Sequence, residues 1–271
     1  GAVYHVKYRY GGGLHADIMG GLLAVDASGP MFGKQSTVSR INSGESLQTD
    51  SLLEMVFQFS RSISEATNGA FDVTVAPLVN AWGFGFKHDQ WPDTATVDSL
   101  RQLVGWQKVS IHNHQLQKAD PRMVLDFGAV AKGFGVDEVA SLFRSKGIKN
   151  FMIEIGGEIV SSGQNPKGAP WRIGINKPDD DPNNLSSEMQ DIIELNDCAM
   201  ATSGNYRNFY YKNVKKYAHT IDPKTGCPVQ HNILSATVLA DDCATADAYA
   251  TSFMVLGLAK AKKVLEKHPE L

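Results

Sequence analysis

The chain reads as an α+β protein, mixed sheets with flanking helices, on three observations. Alternating apolar stretches and stretches of helical spacing both occur, yet they never settle into the regular strand–helix–strand repeat of a doubly wound sheet. The helical stretches carry their own start and stop signals. Short strands recur up to Ala240, after which two apolar helical runs close the chain.

Taken in order, Val3–Arg9 alternates as a strand. Asp50–Asn68 sets Leu52, Leu53, Val56, Phe57 and Ile63 at helical spacing, with Thr49 or Asp50 as cap and Gly69 as stop. Val97–Val104 is a shorter helix. Strands are expected at Lys108–Ile111, Gln115–Lys118 and Met123–Phe127. Val130–Lys146 is a helix ended by Gly147, and Phe151–Ile155 a strand closed by Gly156-Gly157. Trp171–Asn176 is another strand, and Lys177–Ser187 is a Pro/Asp/Asn-rich surface loop. Asp191–Leu195, Lys216–Ile221 and Ile233–Ala240 read as strands, Thr245–Leu256 and Leu258–Lys267 as helices.

The bulk numbers bound the function. A chain of 271 residues, 42% hydrophobic, builds one elaborate domain over 1–271 or two intimate lobes. A net charge of -3 gives no basic field for gripping nucleic acid. No apolar run reaches the roughly 18 residues of a membrane span. The chain starts at Gly1 and enters directly on VYHVKY, which is expected of a trimmed or processed form whose export signal has been removed. Cys198, Cys227 and Cys243 lie far apart with no CxxC pair, so neither a zinc site nor a disulfide framework is implied.

Four strings hold most of the unusual chemistry. In ADAYATSF (Ala246–Phe253), Asp247 and Thr251 are i and i+4 and leave one helix face together. They are oxygen donors suited to Mg²⁺, although an Asp near a helix start also serves the helix dipole alone. DFGAVAKG (Asp126–Gly133) puts Asp126 at a strand end and Lys132 in the next helix, either an anion-binding junction or an ordinary strand-to-helix turn. HTIDPKTGCP (His219–Pro228) places a histidine beside an Asp-Pro turn, and histidine is the side chain best poised to move a proton near neutral pH. SGNYRN (Ser203–Asn208) is a polar turn. NAWGFGF (Asn80–Phe86) interleaves aromatics with glycine, as a core segment or a wall for a flat ring system. FGKQST lacks the hydroxyl a phosphate loop needs after its lysine, and HNH (His112–His114) has no nuclease context.

In order along the chain, VYHVKY, STVSRIN, GAFDVTVAPLVNAWGFG, LDFGAVAKGFGVD, IEIGGEIVSSG, WRIGINKP, ATSGNYRNFY, YAHTIDPKTGCPV and TADAYATSFMVLG resemble the ApbE family, the FAD:protein FMN transferases. The resemblance implies an α+β, T-fold-related architecture and an enzyme that binds FAD and Mg²⁺. It implies transfer of FMN to a Thr hydroxyl of a partner protein, with release of AMP. The implied acceptors are membrane redox subunits with a Ser/Thr-Gly-Ala-Thr-like motif. The implied location is exported, on the periplasmic side of the cytoplasmic membrane and lipid-anchored. Two rival readings stay open: an FAD pyrophosphatase giving FMN and AMP, and a flavin-binding protein without turnover.

Carried over by motif, Asp126 and Lys132 contact FAD. Ala81, Trp82, Gly83 and Ile221 line the flavin or adenine pocket. Asp247, Thr251 and the carbonyls of Ala129 and Ala250 hold metal. His219 is the base for the attacking hydroxyl. Three departures are expected to matter: Phe32, at a cofactor-contact position, stands where many relatives carry Tyr and so lacks a hydroxyl contact to FAD; the family Met is absent before Gly1; and Ala250 stands where many relatives carry Asp.

Overall fold

The computed structural model describes residues 3–29, 35–84, 91–178, 188–205, 209–212 and 215–271. Phe32, Gly85, Phe86 and nearly all of the Lys177–Ser187 segment lie outside the described residues. The strand β1 (Tyr4–Tyr8) leads to helices α1 (His15–Ser28), α2 (Thr37–Ser43) and α3 (Ser51–Ala66). Asp50 caps α3, its Oδ1 accepting from the Leu53 N–H at 2.9 Å. Gly69, at φ 74°, stops it by donating to the Ser64 carbonyl. Then come α4 (Ala76–Ala81) and α5 (Thr94–Arg101). The latter begins three residues earlier than the apolar spacing indicates, because Asp93 caps it through the Thr96 N–H at 2.8 Å.

The hairpin β2 (Val109–His112) and β3 (Gln115–Lys118) turns at Asn113 and His114, with φ of 50° and 58°. Both left-handed values suit a two-residue hairpin, so HNH is a turn. The strand expected at Met123–Phe127 is absent. Its groups are satisfied elsewhere: Leu125 exchanges two 2.8 Å hydrogen bonds with the Asn42 amide, and the Asp126 N–H donates to the Val73 carbonyl at 2.7 Å. The chain then enters α6 (Ala131–Ser145).

Beyond α6 lie β4 (Phe151–Ile155) and β5 (Glu158–Ser162), joined by Gly156-Gly157 at φ 61° and 104°. A two-stranded ribbon, β6 (Trp171–Asn176) and β7 (Met189–Leu195), precedes β8 (Ala199–Gly204). The hairpin β9 (Phe209–Lys212) and β10 (Lys215–Ala218) and the two-residue pair β11 (Ile221–Asp222) and β12 (Cys227–Pro228) follow. So the single strand expected over Lys216–Ile221 is two, with His219 in the break. Thr220 enforces that break by donating its hydroxyl to Asn205 Oδ1 at 2.6 Å. The chain ends on β13 (Ser235–Ala240), α7 (Cys243–Leu256) and α8 (Leu258–Leu265).

The α+β expectation holds. Among the described residues, the main sheet has the order β1-β4-β5-β8-β13 and every neighbouring pair is antiparallel. Its alternation assigns the faces: Phe151, Ile153 and Ile155 pack with Val136, Val139 and Phe143 of α6. Met152, Ile159 and Met200 turn the other way, onto Trp171, Ile173 and Leu195 of the ribbon. A larger core cluster joins α3 to α7 through Leu53, Val56, Phe57, Ala246 and Phe253. Small residues meet where α7 lies on β8: Ala246, Ala248 and Ala250 of the helix and Ala201 of the strand share that cluster.

Candidate active site

Between α6, β5, β8 and α7 lies a cavity of ≈ 450 Å³, lined by Asp126, Ala129, Lys132, His219, Ile221, Asp247 and Thr251 among others. Seven positions singled out in the sequence therefore share one wall system. Asp126 sits on an exposed turn, its Oδ1 accepting from the Gly128 N–H at 2.7 Å. Lys132 stands in the first turns of α6, its ammonium donating to Glu158 Oε1. Glu158 opens β5 and is 2% exposed, with Oε2 buried and without a hydrogen-bond partner.

Asp247 is buried on α7 and accepts from the Gly133 N–H through Oδ2 at 3.1 Å. Burial, reinforced by the nearby Glu158 carboxylate, pushes its pKa up to about 7, against the pull of Lys132. Burial also raises Glu158. At Lys132 burial works against the ammonium, but Asp247 and Glu158 hold its pKa above the ordinary lysine value. One turn beyond Asp247, Thr251 Oγ1 lies 3.0 Å from Ser203 Oγ of β8.

The mounting of α7 explains why Asp247 stands where it does. Asp242 caps the helix, accepting from the Thr245 N–H at 2.8 Å. Asp137 reaches from α6 with both oxygens, to the Cys243 N–H at 2.9 Å and the Ala244 N–H at 2.8 Å. Burial pushes Asp137 to about 6, while the two N–H groups oppose that rise. Gly133 permits the approach: a Cβ there would lie 2.5 Å from the Cys243 carbonyl oxygen.

The donor set suits a hard divalent cation. No described hydrogen bond reaches Asp247 Oδ1, the Thr251 hydroxyl is beside it on the same helix face, and Ala129 borders the cavity. Among the described residues no group of three or more His, Cys, Asp or Glu could hold a metal. Ala250 is fully buried, packs in the core cluster and is not among the described residues lining the cavity.

Ala81, Trp82 and Gly83 are also outside that lining. Trp82 instead donates Nε1 to the Gly226 carbonyl at 2.8 Å and stacks on Tyr217 at 6.3 Å. Sequence reasoning missed Ala70, Phe71 and Asp72, which do line the cavity, although they belong to the string GAFDVTV. It also missed Glu158, whose signal was a lone carboxylate opening an apolar strand after two glycines. His219 borders the cavity with its ring 6.4 Å from Phe84, edge to face.

The whole chain, residues 1–271, matches the ApbE family. The FAD:protein FMN transferase of Haemophilus influenzae is 38% identical over 287 residues, covering 99% of this chain and 82% of that protein. The FAD:protein FMN transferase of Vibrio cholerae is 39% identical over 277 residues, covering 98% and 82%. The solved flavin transferase ApbE from Vibrio cholerae superimposes with a TM-score of 0.85 at 38% identity, over 98% of this chain and 87% of that one. The apo flavinyl transferase ApbE of Pseudomonas stutzeri gives a TM-score of 0.85 at 32% identity, over 98% and 85%. With sequence, fold and cavity in agreement, this chain belongs to the ApbE family.

Proposed function

We propose that this protein is an FAD:protein FMN transferase that moves FMN from FAD to a Thr hydroxyl of an acceptor protein and releases AMP. The observation carrying this reading is one cavity that holds a cationic side chain, a buried carboxylate with an adjacent hydroxyl, and a histidine: Lys132, Asp247, Thr251 and His219. These are the parts a pyrophosphate exchange needs, namely charge to meet the phosphates and a base to free a weak nucleophile.

In this reading Lys132 faces the pyrophosphate, and Asp126 orients the substrate at the cavity mouth. Asp247, Thr251 and the Ala129 carbonyl would hold Mg²⁺, which when bound would neutralise phosphate charge and polarise the phosphoryl group under attack. His219 takes the Thr proton as the Thr oxygen bonds to the FMN phosphorus, and the bond from that phosphorus to the bridging oxygen breaks, freeing AMP. Ile221 and the Ala70–Asp72 segment wall the substrate.

Mass spectrometry of a Thr-containing acceptor peptide after incubation with FAD and Mg²⁺ tests the proposal. A covalent FMN adduct and one AMP per adduct are expected. Free FMN with an unmodified peptide would favour a pyrophosphatase, and intact FAD a carrier.

The same reading places acceptors among membrane redox subunits bearing a Ser/Thr-Gly-Ala-Thr-like motif. It places the full-length protein outside the cytoplasmic membrane, held there by lipid. No described helix is long and apolar enough to cross a membrane. Cell fractionation followed by globomycin treatment checks the anchor, since unprocessed precursor should accumulate.

A further inference from the structure

We propose that Glu158 is a positioning residue, holding the Lys132 ammonium at the cavity wall with its remaining donors turned toward the pyrophosphate of the substrate. The inference rests on the reading of the cavity as an FAD site.

Glu158 is the one charged residue of β5, a strand whose other members are Ile159, Val160, Ser161 and Ser162. The Gly156-Gly157 turn delivers it directly into the cavity lining. It is 2% exposed, and a carboxylate buried so deeply is unfavourable unless a cation meets it. Lys132 supplies that cation through Oε1, whereas Oε2 is buried with no partner. A residue serving packing alone would be apolar here, like Ile159 and Val160 beside it.

The ammonium has three donors, and the Glu158 bond is the one hydrogen bond Lys132 makes among the described residues. Its side chain is 31% exposed and lines the cavity, and its other two donors make no hydrogen bond to a described residue. Lys132 hangs on a flexible four-carbon stem, and without an anchor its ammonium would follow the nearest negative charge. The other carboxylate that draws the ammonium is Asp247, which lines the same cavity. Glu158 thus does two things at once. It points the ammonium at incoming phosphate, and it keeps that ammonium off the carboxylate assigned to the cation.

Titrating FAD and riboflavin by flavin fluorescence, in EDTA and without acceptor, tests this, because the tethered ammonium is then the site's own cation. Glu158→Gln should weaken FAD binding about tenfold and leave riboflavin, which has no phosphate, within about twofold. Lys132→Met should do the same, and the double variant should be no weaker than Lys132→Met alone. Glu158→Asp, which keeps the charge on a shorter stem, is the second variant and should lose less FAD affinity than Glu158→Gln. Unchanged FAD affinity in Glu158→Gln, an equal loss for riboflavin, or additive losses in the double variant would each overturn the inference. A wild-type protein that binds no FAD would instead overturn the functional reading beneath it.

Discussion

His219 occupies the break between β10 and β11, half-buried, and its ring meets both Phe84 and the cavity. A base placed there acts on the transferred proton rather than on FAD affinity. His219→Ala is expected to slow acceptor flavinylation by about 10²–10⁴-fold, with FAD affinity nearly unchanged. Rates near wild type would remove His219 as the base. Asp247→Ala is expected to shift the Mg²⁺ titration of turnover to higher concentration. A superimposable titration curve would show that Asp247 is not a ligand. At this scale the sequence singled out Lys132, Asp247 and His219 by chemistry and local pattern, and the structure sets all three on one cavity. Glu158 was silent because burial, not spacing, gives it meaning. Trp82 was open to two readings, core or ring pocket, and its indole N–H meets the Gly226 carbonyl while its face packs on Tyr217.

The α6–α7 junction is the element on which the cavity depends. Gly133→Ala forces a methyl onto the Cys243 and Ala244 backbone, which cannot yield as a side-chain tip does. A loss of about 1–3 kcal/mol in urea unfolding is expected, together with weakened FAD binding, because Asp247 moves with the helix. Asp137→Asn replaces one acceptor with a donor facing an N–H, at a cost of about 1–3 kcal/mol. The pH dependence follows from its raised folded pKa of about 6, which burial and Asp242 push up and Arg144 pulls down. A carboxyl raised in the folded state contributes stability that is present at low pH and lost as pH rises through about 6. Asp137→Asn should therefore flatten the fall in unfolding free energy between about pH 4 and 6, measured by denaturant titrations across that range. Element boundaries were legible where caps and stops announced them, as at Asp50 and Gly69. The helix α1 was missed because Leu14 offers no capping side chain and apolar residues surround HADIMGGLLAVDAS. The strand β8, written in small residues as AMATSG, lacks the branched and aromatic side chains that mark strands.

Across the whole molecule, α6 and α7 each contribute to two core clusters, Phe134 and Ala246 to one and Val136 and Cys243 to the other. Sharing of this kind should make the chain unfold in one transition, with calorimetric and van't Hoff enthalpies equal. FAD at about a hundredfold its Kd should add about 2.7 kcal/mol, seen as a Tm rise of several degrees. The sheet order was beyond sequence reasoning, since β5 pairs with β8 across two intervening strands and nothing local in either announces the other.

The hydrogen bond from Gly133 to Asp247 spans 114 residues. Lys132 and Glu158 lie on one side of that span and α7 on the other. A chain cut anywhere between residues 158 and 243 would therefore leave neither fragment with a complete cavity, and the two would have to reassociate before nucleotide could bind.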